Sequence, residues 1–75
     1  MTQEWMLSEI TLEAVRLLKA GNGLKLTEET RIDYAISIAF EKAQSRLPMD
    51  DAADLYCDLD DNYDVYVAAI KDMSQ

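Results

Sequence analysis

Eight aspartates concentrate the chemistry of this sequence in its last third: Asp50, Asp51, Asp54, Asp58, Asp60, Asp61, Asp64 and Asp72. From Pro48 onward Lys71 is their only cationic neighbour. Up to Leu47 the chain is nearly balanced, with seven acids against six bases (Arg16, Lys19, Lys25, Arg31, Lys42, Arg46). The last segment therefore holds −7 of a net charge of −8. Carboxylates grouped in this way can ligate a cation, trade protons in catalysis, or present an anionic surface to a basic partner.

The first use has one specific hook. Asp58, Asp60 and Asn62 occupy the first three ligand positions of an EF-hand loop, and Asp64 occupies the next. But Tyr63 stands where that loop needs glycine for its sharp turn, and Ala69 where it needs a bidentate glutamate. Both failures fall at geometry-setting positions, so no metal site and no cofactor is expected. Catalysis fares no better. The chain has no histidine, which removes the usual general base near neutral pH and every Ser-His or Cys-His pair. It has no glycine-rich phosphate loop, and aspartates on an exposed helix lack the burial that tunes a general acid. No enzymatic activity is expected. Cys57 is the only cysteine, so it cannot form an internal disulfide, and it reads as a small, partly buried helix residue rather than a reactive thiol.

The elements that must position the aspartates are helices. The composition is 49% hydrophobic with Gly 2 and Pro 1, which suits one uninterrupted all-α domain over residues 1–75. The first helix is expected from about Thr2 to Ala20, with Met6, Leu7, Ile10, Ala14, Leu17 and Leu18 on one face. Thr2 is its expected N-cap, with Ser8 as the cap of a shorter alternative. Gly21-Asn22-Gly23 stops it. The second helix starts at Thr27, lines one face with Ile32, Ile36, Ala39, Phe40, Ala43 and Leu47, and ends at Pro48.

The third segment is harder to read. Asp58, Asp60, Asp61 and Asn62 compete for the backbone and favour a break. Yet Leu55, Leu59, Tyr63, Tyr66, Ile70 and Met73 keep one helical phase from end to end. That continuity favours one long helix from about Met49 to Met73, bent or loosened near residues 58–62. The expected fold is a small three-helix bundle with antiparallel neighbours, with a third helix kinked or split near residues 58–62 as its alternative form.

On such a rod Asp50, Asp51, Asp54, Asp58, Asp61 and Asp64 share the half opposite the apolar stripe. Steps of about 4.5 to 6 Å between them resemble the charge spacing of a nucleic-acid backbone. Three readings compete: a solvated face that confers solubility, a docking surface for a basic partner such as a nucleic-acid-binding protein, and a weak cation screen. The leading expectation is a small acidic inhibitor that blocks such a partner, as anti-defence or antitoxin-like proteins of mobile genetic elements do. The protein's own charge opposes direct binding of DNA or RNA, and Tyr56, Tyr63 and Tyr66 read as core-edge rings rather than base-stacking platforms.

A second surface is left over. Trp5 and Leu12 share a face of the first helix roughly 130° away from its apolar stripe, and Tyr34 with Ile38 does the same on the second. These four could form the interface of a homo-oligomer, or Trp5 could fold back onto the core from a frayed first turn. The alternative function is therefore a structural or assembly module that dimerises. No apolar run approaches the ~18 residues of a membrane span and no leader pattern opens the chain, so a cytoplasmic location is expected.

Overall fold

The computed structural model describes residues 3–21 and 25–74, all helix and short connections. Among the described residues four helices follow in order: α1 (Glu4–Lys19), α2 (Glu28–Arg46), α3 (Met49–Asp61) and α4 (Tyr63–Ser74). The fold is all-α, but the expected third helix is two.

α1 begins at Glu4 behind Gln3, whose carbonyl accepts from the Leu7 N–H. Thr2, the expected cap, lies outside the described residues. Ser8 sits inside the helix, so no shorter helix starts there. The first turn holds: the Trp5 indole N–H donates to the Gln3 side-chain oxygen at 2.8 Å, and Trp5 stays outside the core. At the other end Gly21 takes φ 86°, a left-handed value that costs glycine nothing, and its N–H reaches the Leu18 carbonyl. Asn22 and Gly23 lie outside the described residues.

α2 opens as its sequence demands. The Thr27 hydroxyl accepts from the Thr30 N–H, and Glu28 and Glu29 occupy the turn where the dipole favours anions. It closes at Leu47, held at φ −87°, ψ 151° because the residue before a proline is driven out of the helical region.

Asn62 ends α3 at φ −125°, ψ 33°. Its N–H donates to the Asp58 carbonyl at 2.8 Å, and its side-chain amide donates to the Asp58 carboxylate at 3.0 Å. Its own carbonyl then accepts from the Val65 and Tyr66 N–H groups, starting α4. A short amide side chain has captured the backbone and broken the ladder. The apolar phase nevertheless survives, since Leu55 and Leu59 before the break and Tyr66 and Ile70 after it are all buried. Tyr63 is half-buried, and Met73 at the far end is exposed.

The break lets the chain change partners: α3 packs on α2, while α4 lies chiefly against α1. A straight helix over residues 49–73 would run about 36 Å. The whole molecule extends 34 Å along its longest axis, so the rod would overshoot the two helices it must cover.

Met6, Ile10 and Ala14 meet Ile32, Ile36, Ala39 and Ala43 in one core with Leu55, Leu59, Tyr66 and Ile70. Ala14, Ala39 and Ala43 leave no exposed area, so α1 and α2 approach closely at their small residues. Thr11 and Val15, which carry no place in the expected apolar stripe, are also buried. They lie on the flank of α1 away from Glu9 and Glu13, which face α2, and α4 covers that flank.

Candidate docking surface

α3 turns Ala52, Leu55 and Leu59 inward. At 100° per residue, Asp50, Asp54, Cys57 and Asp61 then fall in one row (i, i+4, i+7, i+11) on the outward side. All four are exposed, Cys57 among them, against its expected partial burial. Asp51 and Asp58 lie on the flank of this row and are partly buried. Asp64 is exposed but belongs to α4, across the break. The six aspartates expected on one face therefore divide into an outward row of three, two flanking residues and one on a different helix. Asp60 and Asp72 are exposed elsewhere.

Asp58 is a structural residue as well as an acid. Its second carboxylate oxygen accepts from the Tyr66 hydroxyl at 2.5 Å while its first holds the Asn62 amide. Tyr63 makes the matching contact one turn earlier, donating its hydroxyl to Asp33 of α2. Burial, and then the anionic acceptor, pushes both phenol pKa values well above the usual 10.0. Of the three tyrosines expected at the core edge only Tyr63 lies there; Tyr66 is wholly inside the core, and Tyr56 is exposed with its ring leaning on Phe40, centroids 5.8 Å apart.

The acids of α1 are treated differently. Glu13 accepts from Arg16 at 2.7 Å and from Lys42 at 2.8 Å, and Glu9 pairs with Arg46. Hydrogen bonds from Arg16 and Lys42 draw the Glu13 carboxyl down to about 2, against the opposing pull of burial. The cations at the end of α2 are thus held by α1. Among the described residues no cation pairs with Asp50, Asp51, Asp54, Asp60, Asp61, Asp64 or Asp72.

An apolar groove of about 660 Å³ runs beside the aspartate row, between the end of α2 and the start of α3. Phe40, Gln44 and Leu47 line it from α2 and its end, and Met49, Ala52, Ala53 and Tyr56 from α3. Met49 is 87% exposed and Tyr56 60%. Met49 and Tyr56 lie off the core stripe of α3, so the core pattern alone does not mark this groove. The signal was present in the spacing: Met49, Ala53 and Tyr56 recur at i, i+4 and i+7.

The other expected surface is smaller. Trp5, Ser8, Glu9, Leu12, Glu13 and Arg46 line one shallow depression, with Leu12 59% exposed. Tyr34 and Ile38 do not line it; Tyr34 is exposed and Ile38 half-buried.

No family model, curated protein or solved structure matches the chain. Function rests on this geometry alone. Among the described residues no three of the acidic or cysteine side chains are grouped so as to hold a metal ion. No helix among them is long and apolar enough to cross a membrane.

Proposed function

We propose that the protein is a binding module whose α3 docks on a basic surface of another protein. One observation carries this reading. The outward row of Asp50, Asp54 and Asp61 lacks any cationic partner among the described residues, while Glu9 and Glu13 are neutralised by Arg46, Lys42 and Arg16. Paired charges have little left to offer a partner, and unpaired ones steer a partner of opposite sign and fix its register. Where the partner's basic surface is a groove for DNA or RNA, occupancy excludes the nucleic acid, and the protein acts as an inhibitor. The row is short, because the break at Asn62 puts Asp64 on another helix. It matches a local basic patch better than a long stretch of nucleic-acid backbone.

The test is retention of basic nucleic-acid-binding proteins on the immobilised chain, compared with the Asp50→Asn, Asp54→Asn, Asp61→Asn variant. The native chain should retain them at low salt and release them to added duplex DNA, and the variant should not retain them. Equal retention by both overturns the reading.

A second reading has its own observation. Trp5 and Leu12 lie exposed beside Glu9 and Glu13, carboxylates already paired with Arg46 and Arg16, so two copies can meet there without strong repulsion. A homo-oligomer built there predicts dimers in sedimentation that Trp5→Ala or Leu12→Ala abolishes. A monomer at high concentration removes this reading.

A further inference from the structure

The acidic docking face does not by itself say what shape of partner it takes. Resting on that reading, we infer that the groove between α2 and α3 receives an amphipathic basic helix, with its apolar stripe against Phe40, Met49 and Tyr56 and its lysines or arginines beside the carboxylates.

The groove supplies the apolar half of the match. Phe40, Leu47, Ala52 and Ala53 line it, and Met49 and Tyr56 remain largely exposed there, although large apolar side chains are the ones folding most readily buries. An aromatic pair and a flexible methionine at a half-open groove suit an apolar anchor from outside.

Charge supplies the other half. Along α3 the row of Met49, Ala53 and Tyr56 ends in Asp60, and the row of Asp50, Asp54 and Asp61 runs beside it. On the α2 side the rim holds Gln44, and Glu41 one turn earlier is exposed without an ion pair among the described residues. Lys42 and Arg46, the basic residues of that half of α2, are turned to Glu13 and Glu9 of α1. Neither rim offers a cation. A second copy of this chain, at net charge −8, would bring like charge to like. A peptide that binds as an added β-strand would need a sheet edge to pair with, and the described residues contain no strand. A helix satisfies its own backbone and brings side chains at i, i+4 and i+7, the spacing at which α3 presents its apolar row.

The test is titration of the full ¹⁵N-labelled chain with synthetic helical peptides of about 18 residues, long enough to hold a helix. One has a leucine stripe and a lysine face, a second replaces leucine by glutamine at equal charge, and a third replaces lysine by glutamate. The leucine–lysine peptide should bind about tenfold or more tighter than the glutamine–lysine one, the loss typical of an interface anchor. It should shift the amides of Gln44, Met49, Ala53 and Tyr56. The Met49→Ala, Tyr56→Ala double variant, whose melting curve verifies its fold, should bind both basic peptides alike.

Equal affinity of the native chain for both basic peptides, each lost at high salt, overturns the groove and leaves the acidic face standing. No binding of either basic peptide at low salt overturns both. Tight binding of the leucine–glutamate peptide, or shifts centred on Trp5 and Leu12, overturns the choice of occupant.

Discussion

The Asp58 carboxylate and the Tyr66 hydroxyl meet at 2.5 Å across the break between α3 and α4. Tyr66 has no exposed area, and Asp58 is only partly exposed. A buried phenol needs an acceptor, and here it finds one that also holds Asn62. One carboxylate thus clamps the last turn of α3 to the first turns of α4.

The first prediction concerns that clamp. Tyr66→Phe removes a hydrogen bond to a charged group and should cost about 1 to 3 kcal/mol. For a domain this size that lowers the melting temperature by roughly 4 to 8 °C per kcal/mol. Asp58→Asn keeps an oxygen for the phenol, so it should lose less than Asp58→Ala. Thermal melts of the three variants check the order. A Tyr66→Phe variant that melts with the native chain would show that water satisfies Asp58 equally well.

The helical pattern was legible because it depends on local chemistry. Thr27 caps, Gly21 tolerates positive φ, and Pro48 stops a helix wherever they stand. The apolar phase through Leu55, Leu59, Tyr66 and Ile70 was legible too, yet it could not reveal the break. A kink at one residue can preserve phase while changing direction, so periodicity alone does not distinguish a rod from two helices. What decided the matter was Asn62 bonding to Asp58 and the need for Tyr66 and Ile70 to reach α1. Pairing was equally hidden: that Arg46 meets Glu9 and Tyr63 meets Asp33 depends on contacts 37 and 30 residues apart. The aspartate row itself was partly visible, since Asp50, Asp54 and Asp61 follow helical spacing within α3.

The second prediction is alkaline. Folding raises the phenol pKa of Tyr63 and Tyr66 above the usual 10.0, mainly through burial and then through Asp33 and Asp58. A group whose folded value is raised contributes its full stability below the unfolded value and loses it as pH rises beyond. Stability should therefore hold to about pH 10 and fall above it, and the Tyr63→Phe, Tyr66→Phe double variant should show a flatter decline. Urea melts across that range, with tyrosinate absorbance followed in parallel, provide the check. Two phenols titrating normally in the folded chain would sink this account.

The third prediction is acidic and has the opposite sign. Arg16 and Lys42 hold Glu13 at about 2, below its ordinary 4.5. A depressed carboxyl contributes stability above its unfolded value and loses it as pH falls through the folded one, here between about 4.5 and 2. These groups are near solvent, so the contribution is about 1 kcal/mol or less and shrinks with salt. Glu13→Gln should lose that increment at neutral pH and match the native chain near pH 2. A constant gap between the two across the whole range would mean that glutamine disturbs packing rather than charge.

The fourth prediction separates the aspartates by role. Asp50, Asp54 and Asp61 are exposed and unpaired among the described residues, and Asp50 and Asp54 are one turn apart on α3. Like charges at that spacing weaken a helix by a few tenths of a kcal/mol. Replacing all three by asparagine should leave stability within about 0.5 kcal/mol of native, as surface changes usually do. The same variant should lose most of its affinity for a lysine-rich helical peptide, and with it the steep salt dependence of binding. Asp58→Ala should do the reverse, lowering the melting temperature while keeping most of that affinity. Circular dichroism melts paired with calorimetric titrations at two salt concentrations would resolve the two classes. If the exposed triple variant bound as well as the native chain, α3 would owe its aspartates to solubility, and the basic partner would have to be sought on another face.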